Sequence, residues 1–167
     1  MLGQRRGQMR LSFGMIFSII LMVAFIAVAF YAIQKFLEIQ NSVQVAKFAR
    51  DLQEDVDRMW KGSEGSQVHE YFLPGKIDYV CFANFNSQSR GMYDDFYDEL
   101  DNFYYENENL FFYPPKSMGG RNSEWIKNID AEKITSSENP FCIENIKGKI
   151  ELTTKKEFGE ALVTITK

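Results

Sequence analysis

The chain has 167 residues, of which 45% are apolar, 15% aromatic and 25% charged, with 19 basic against 23 acidic residues. This composition excludes a collagen-like chain, a disordered acidic tail and a disulfide-dense miniprotein. The formal charge of −4 is uneven, because residues 1–33 contain three bases and no acid, which leaves 16 bases and 23 acids for the rest. The only basic cluster is this short N-terminal stub, which argues against nucleic acid as a partner.

The segment 11–33 predicts a transmembrane helix, because its 23 residues include no charged one. As an α-helix it would be about 35 Å long, enough to cross a hydrocarbon core about 30 Å thick. The bases that precede it are Arg5, Arg6 and Arg10. Lys35 and Glu38, which follow it, cancel each other. The positive-inside rule therefore predicts that residues 1–10 form a cytoplasmic tail and that residues 34–167 lie outside the cell membrane.

Two processing events would change the fate of this segment, and the first is removal as a secretory signal. Such a signal ends in small residues, and cleavage after Ala27-Val28-Ala29 would release a chain that begins at Phe30. Two observations oppose this interpretation. The apolar segment is long for a signal peptide, and the helical pattern continues past the cleavage site.

The second processing event is indicated by Arg5-Arg6-Gly7, followed by QMRLSF and the long apolar helix. This segment resembles the class III signal of archaeal type IV pilin-like proteins. In that family a dedicated peptidase cuts on the cytoplasmic side, between glycine and glutamine, and leaves the apolar helix on the mature protein. The resemblance implies a cut between Gly7 and Gln8 and assembly of copies through the helix. The sequence departs from the family at Ser12, where glutamate is usual.

Residues 34–61 predict an amphipathic stalk helix that continues from the transmembrane helix. One apolar stripe consists of Phe36, Ile39, Val43 and Ala46. A second stripe at helical spacing consists of Val45, Phe48, Ala49, Leu52, Val56, Met59 and Trp60. Gly62 follows a last turn that contains Arg58 and Lys61, which is typical of a helix C-terminus.

Two interpretations of these stripes stay open. In the simpler one, the second stripe packs on the protein's own domain. In the other, the two stripes serve two partners, the domain on one side and another copy of the chain on the other. A regular coiled coil is not predicted, because heptad spacing is not sustained over three or four repeats.

The chain after the helix predicts a short linker, residues 62–67, and then a domain, residues 68–167. The fold class is α+β, with a mainly antiparallel sheet and one or two helices. The predicted strands are 68–73, 77–85, 110–113, 141–146, 149–153 and 161–166. The first two flank Pro74-Gly75, which predicts a β-hairpin. A helix is predicted at 93–105. A long N-terminal helix followed by a small sheet domain is also the general architecture of type IV pilins.

Cys81 and Cys142 are the two cysteines, and each lies in a predicted strand between apolar neighbours. If the domain lies outside the membrane, an oxidising environment permits a disulfide between them. The alternative is two separate buried thiols that act as small apolar residues. Neither has a recognisable neighbouring base, so neither is expected to be a nucleophile.

Two other features could suggest a metal site and are better explained by structure. His69 is the only histidine, so we expect a structural position in its strand rather than a metal ligand. The acidic segment 94–101 has helical spacing and no turn glycine, which predicts a solvated helix face rather than a calcium loop. We therefore expect neither a metal nor a cofactor.

The sequence contains no nucleophile elbow, P-loop, dinucleotide-binding glycine pattern or C-x-x-C motif, so an enzyme is not expected. It predicts a single-pass, membrane-anchored structural or interaction protein, and the family resemblance implies a pilin-like subunit. Its expected partners are the lipid bilayer and either further copies or other surface proteins. The alternative is a monomeric, membrane-tethered module that binds a ligand or another protein.

Overall fold

The computed structural model describes residues 13–115 and 122–167. The predicted α+β class is confirmed: a 49-residue N-terminal helix is followed by a small antiparallel sheet domain with two further helices. The chain divides into two compact units, of which the first ends at Leu37 and the second extends from Glu38 to Lys167. The predicted orientation and processing residues lie outside the described residues; they are Arg5, Arg6, Gly7, Gln8 and Arg10.

Helix α1 extends from Phe13 to Lys61. Its sequence has no proline, and after Gly14 it has no glycine, so nothing interrupts the backbone hydrogen bonds. The helix ends where the sequence predicts a C-terminus. Gly62 N donates to Met59 O at 3.1 Å there, and two basic residues of the last turn lie near the exposed helix carbonyls.

The described residues of the domain form seven strands in two sheets, and every ladder within them is antiparallel. The three-stranded sheet, in the order β1-β6-β7, contains β1 Gly65–Phe72, β6 Lys149–Lys156 and β7 Thr164–Thr166. The four-stranded sheet, in the order β4-β3-β2-β5, contains β2 Tyr79–Phe82, β3 Leu110–Tyr113, β4 Ser123–Glu124 and β5 Phe141–Glu144. The two further helices are α2 Asp94–Asp101 and α3 Ala131–Ile134.

The predicted hairpin around Pro74-Gly75 is wrong. β1 pairs with β6, whereas β2 lies between β3 and β5 in the other sheet. The turn carries the chain from one sheet to the other, and Asn145 holds it there by donating to Pro74 O at 3.0 Å and Ile77 O at 2.6 Å. A turn dipeptide indicates a change of direction but does not specify which strand becomes the neighbour.

Several predicted boundaries differ from the structure. β2, β5 and β7 are shorter than the predicted 77–85, 141–146 and 161–166, and β6 is longer than the predicted 149–153. β1 begins at Gly65, which pairs with Lys156, so the segment predicted as a linker at 62–67 keeps only its first three residues outside the sheet. α2 spans Asp94–Asp101, shorter than the predicted 93–105. The residues after α2 form turns in which Phe103 N and Tyr104 N bond to carbonyls three residues earlier, so the helix pattern ends in tight turns.

Alternation along β2 divides the core into two layers, because successive strand residues point to opposite faces of a sheet. Val80 and Phe82 belong to the larger apolar cluster, which includes the buried residues of α1. Cys81 belongs to the smaller cluster on the other face, which contains Leu100 of α2 and several aromatic rings. The four-stranded sheet is therefore covered on both faces.

Candidate functional site

The first candidate surface is the exposed N-terminal part of α1. Every large apolar side chain from Phe13 to Val43 is exposed, and the first buried one is Val45. α1 is the one described helix that is long and apolar enough to cross a membrane, with a mean hydropathy of 2.8 over its most apolar window, and none of that window is buried. A core helix would bury at least one face. The helix is thus compatible with a single-pass membrane anchor.

The exposed apolar surface is longer than a bilayer requires. From Phe13 to Ile33 the helix spans about 31 Å, close to the thickness of a hydrocarbon core. Beyond this point Phe36, Ile39 and Val43 are still exposed, at 64%, 60% and 61%. Isolated exposed apolar residues are common, but three on one helix face form a contiguous strip. The strip therefore has the character of a contact surface.

The second stripe packs on the domain. Val45, Leu52 and Val56 are fully buried, and Phe48 meets the ring of Tyr71 edge to face at 5.2 Å. Met59 is partly buried against the same cluster. Trp60 remains 41% exposed, while its indole Nε1 donates to Ala161 O at 2.9 Å. All the residues that we predicted as this packing face, Val45, Phe48, Leu52, Val56, Met59 and Trp60, thus lie against the domain.

Within the second unit, α1 has an occupied face and an open one. At 100° per residue, Ile39 and Val43 point about 140° away from the mean direction of the buried Val45, Leu52 and Val56. The domain occupies the buried face, and the opposite face has no covering in the described part of the chain. This arrangement leaves a helix face free for a second partner.

A partly buried polar network joins α1 to the three-stranded sheet. Asp55 Oδ2 of α1 accepts from the Tyr71 hydroxyl at 2.7 Å and lies 3.1 Å from His69 Nδ1. His69 Nε2 lies 3.0 Å from Thr154 Oγ1. Arg58 Nη1 also donates to the Asp55 carboxylate, at 3.0 Å. Each polar group of the network has a partner, as burial requires.

The order carboxylate, imidazole, hydroxyl resembles that of a hydrolase triad. Thr154 is 0% exposed, however, so no substrate carbonyl can reach its hydroxyl. The structural role predicted for His69 agrees with this placement, since the ring stacks on Tyr71 at 5.9 Å and bridges two elements. The arrangement fixes α1 on the sheet by hydrogen bonds in addition to apolar contacts.

The position of Tyr71 gives a testable pH dependence. Burial, and then the hydrogen bond and charge of Asp55, raise the pKa of Tyr71 above its ordinary value of 10.0. A raised pKa stabilises the fold fully below the ordinary value, and this contribution is lost as pH rises toward the folded-state value. Chemical denaturation of the full chain in detergent should therefore show that the free energy of unfolding falls above pH 10. In the Tyr71→Phe variant this free energy should fall less steeply with pH.

At pH 7 the free energy of unfolding of the same variant should be lower by about 1–3 kcal/mol, because the partly buried Asp55 carboxylate loses one hydrogen-bond donor. Tyr105→Phe is the matched control, since Tyr105 is 78% exposed, and its stability should follow that of the unmodified chain at every pH. Parallel alkaline curves for Tyr71→Phe and the unmodified chain would contradict this account.

Cys81 and Cys142 form a disulfide that links directly opposite positions of β2 and β5. Both are fully buried beneath the aromatic layer that includes Phe96 and Tyr113, whose rings stack at 3.8 Å. Burial removes the bridge from solvent, so it acts as a cross-link within the sheet. No free cysteine remains in the described part of the chain.

The acidic segment forms α2, and its five carboxylate residues, Asp94, Asp95, Asp98, Glu99 and Asp101, are exposed. Its buried side is formed by Leu100, which belongs to the smaller core cluster. Within 13–115 and 122–167, no group of three or more His, Cys, Asp or Glu is placed to hold a metal ion. The segment is an amphipathic helix whose acidic face meets solvent.

Sequence patterning does not reveal the network around Asp55. Tyr71, which donates to Asp55, is 16 residues away from it in the sequence, and Thr154 is 85 residues away from its partner His69. In the sequence Asp55 is one of several polar residues between two apolar stripes, and nothing local distinguishes it.

Comparisons of the chain with models of known protein families, with curated proteins and with solved structures gave no match.

Proposed function

We propose that this protein is a single-pass, membrane-anchored structural subunit whose N-terminal helix holds copies of the chain together. The N-terminus lies in the cytoplasm and the α+β domain outside the cell membrane, as the three N-terminal bases favour. The observation that carries the proposal is the apolar strip Phe36, Ile39 and Val43, which continues beyond the length that a bilayer covers.

A second copy of the chain fits this strip better than lipid does. Within the second unit, Ile39 and Val43 of the strip lie on the side of α1 away from the domain, so a neighbouring helix can reach them without displacing the core. Small residues along the apolar segment, among them Ala29 and Ala32, permit close approach of a second helix. Side-by-side packing of such helices buries apolar surface that would otherwise contact water beyond the bilayer.

The pilin-like part of the proposal rests on the resemblance of the N-terminal segment. A cut between Gly7 and Gln8 would remove two arginines and leave the apolar helix on the mature chain. The mature subunit would then reside in the membrane and pass from it into an assembly through the same helix. This order of events explains why one helix needs both a lipid-facing segment and an apolar strip beyond it.

Cysteine cross-linking in native membranes tests the assembly. The chain has no other cysteines than the disulfide pair, so an introduced cysteine is its single free thiol. Val43→Cys should give a covalent dimer under mild oxidation, because Val43 is an exposed residue of the proposed contact strip. Asn41→Cys is the matched control, two residues away and about 160° around the helix, and should give little dimer.

The two variants separate the proposal from the alternative function. Strong dimer at Val43→Cys with little at Asn41→Cys supports assembly through the strip. Equal, weak dimer at both positions would contradict it, and would favour a monomeric, membrane-tethered binding module. Both variants should keep the same thermal midpoint as the unmodified chain, since neither position is buried.

A further inference from the structure

A cleft of about 190 Å³ opens at one end of the four-stranded sheet, where β2 ends and β3 begins. One wall is the segment that follows β2, from Ala83 to Asn86, and the other is the segment before β3, from Tyr104 to Asn109. Trp125, the first residue after β4, closes a third side. The cleft uses no residue of α1 and is separate from the proposed assembly surface.

The aromatic side of the cleft is exposed and firmly supported. Trp125 is 52% exposed, although its size usually favours burial, and Lys127 Nζ lies 5.1 Å from its ring centre. Phe85 lines the cleft and contacts the ring of Tyr104 at 4.9 Å and that of Phe111 at 5.3 Å. These contacts connect the cleft wall to the buried layer around the disulfide.

The polar side of the cleft consists of amides rather than charges. Asn86 and Asn107 are exposed, and neither side-chain amide has a partner among residues 13–115 and 122–167. No basic residue lines the cleft within these ranges, and its one carboxylate, Glu108, accepts from Tyr105 N at 2.9 Å and Ser123 Oγ at 2.6 Å. The free groups are therefore neutral donors and acceptors.

Both walls are held in place before any ligand binds. Fully buried Asn139 accepts from Asn84 N at 3.1 Å and donates to Asn84 O at 2.9 Å, which fixes the segment after β2. In the other wall, Glu108 N donates to Tyr105 O at 3.1 Å and closes a turn. Asn109 pairs with both backbone groups of Ile126, at 2.9 and 2.8 Å. A pre-formed site loses less entropy on binding.

We propose that this cleft binds a neutral sugar unit of a glycan. A sugar ring has an apolar face of C–H groups, which stacks on an indole, and a rim of hydroxyls, which pair with amides such as Asn86 and Asn107. Glu108 is the one charged lining residue in the described ranges, and its carboxylate would repel a phosphate or carboxylate ligand, while the nearby Lys127 Nζ lies over the Trp125 ring. The volume suits one sugar ring rather than a drug-sized molecule.

Ligand-observed NMR on the full chain tests this proposal, in a detergent without a sugar headgroup. The probes are the methyl glycosides of glucose, galactose, mannose and N-acetylglucosamine at millimolar concentration, with uridine as a stacking ligand of another class. At least one glycoside should show saturable transfer from the protein. Trp125→Ala should weaken it about tenfold or more, because it removes the stacking surface.

Two further variants make the test specific. Asn107→Gly removes the amide but keeps the left-handed backbone, since Asn107 has φ 72°, and it should also weaken binding. Trp60→Phe, at the other tryptophan, should leave binding unchanged. No saturable glycoside, binding that survives Trp125→Ala, or uridine binding in place of the glycosides would overturn the proposal. None of these results depends on whether copies of the chain assemble.

Discussion

Replacement of both Cys81 and Cys142 by alanine is expected to lower the free energy of unfolding by about 4 kcal/mol. The bridge closes a loop across 61 residues, and losing it restores that loop's freedom to the unfolded chain. For a domain of this size the loss corresponds to a fall in the thermal midpoint of about 10–20 °C. Thermal and chemical denaturation of the full chain in detergent, followed by circular dichroism, measures both quantities.

The control for the disulfide prediction uses the unmodified chain with and without reductant under denaturing conditions. Reduction during unfolding should bring its midpoint down to that of the double alanine variant, and the variant itself should not respond to reductant. A double variant as stable as the unmodified chain would contradict a role for the bridge in stability. Alkylation of native protein should find no reactive thiol, because both sulfurs are bonded and buried.

Leu52→Ala is expected to lower the free energy of unfolding by about 2–5 kcal/mol, because the side chain is fully buried between α1 and the domain. The cost combines lost burial with a cavity that the rigid sheet cannot close. Since Leu52 lies near the middle of the buried stripe, the variant should also expose α1 to proteolysis. Urea denaturation in detergent gives the change in free energy, and limited proteolysis shows where the chain opens.

Leu37→Ala provides the matched control on the same helix. Leu37 is 50% exposed, so its removal should change the free energy of unfolding by about 0.5 kcal/mol or less. Equal losses at the two positions would mean that the buried stripe does not hold the domain on α1. Together the two leucines therefore distinguish the packed half of the helix from its open half.

Much of the fold can be predicted from local pattern. The C-terminal end of α1 follows from the spacing of its apolar residues and from Gly62, and β3 follows from a run of four apolar or aromatic residues before Pro114. Strand partners are harder, because pairing depends on distant segments. Pro74-Gly75 marks a turn in either topology, and only the burial of Val80 and its neighbours against α1 places β2 in the second sheet.

The candidate sites differ in how well they can be predicted from the sequence. The apolar strip and the disulfide pair are predictable, since periodicity and cysteine number mark them. The cleft at Trp125 is not, because its walls come from four separate segments, including Ala131 of α3, that only the folded domain brings together. The role of Asn139 in fixing the cleft wall at Asn84 cannot be predicted from the sequence either. An asparagine in a loop is common, and only its burial and its hydrogen bond to Asn84 show that it holds another loop.

These features assign different roles to the two halves of α1 and to the cleft in the domain. In the assembly that we propose, the N-terminal half of α1 supplies apolar surface first to lipid and then to another copy of the chain. Its C-terminal half is fixed to the domain by the apolar packing of the buried stripe and by the hydrogen bonds of Asp55. The cleft at Trp125 is the site that we propose for a sugar ligand.

N-terminal sequencing of the chain purified from membranes of its native cells tests the central proposal most directly. The proposal predicts a mature chain that begins at Gln8, retains all of α1 and stays in the membrane or assembled fraction. A chain that begins at Met1 would contradict pilin-like processing and leave only the anchor. A chain that begins at Phe30 and is recovered from the medium would contradict the anchor and the assembly together.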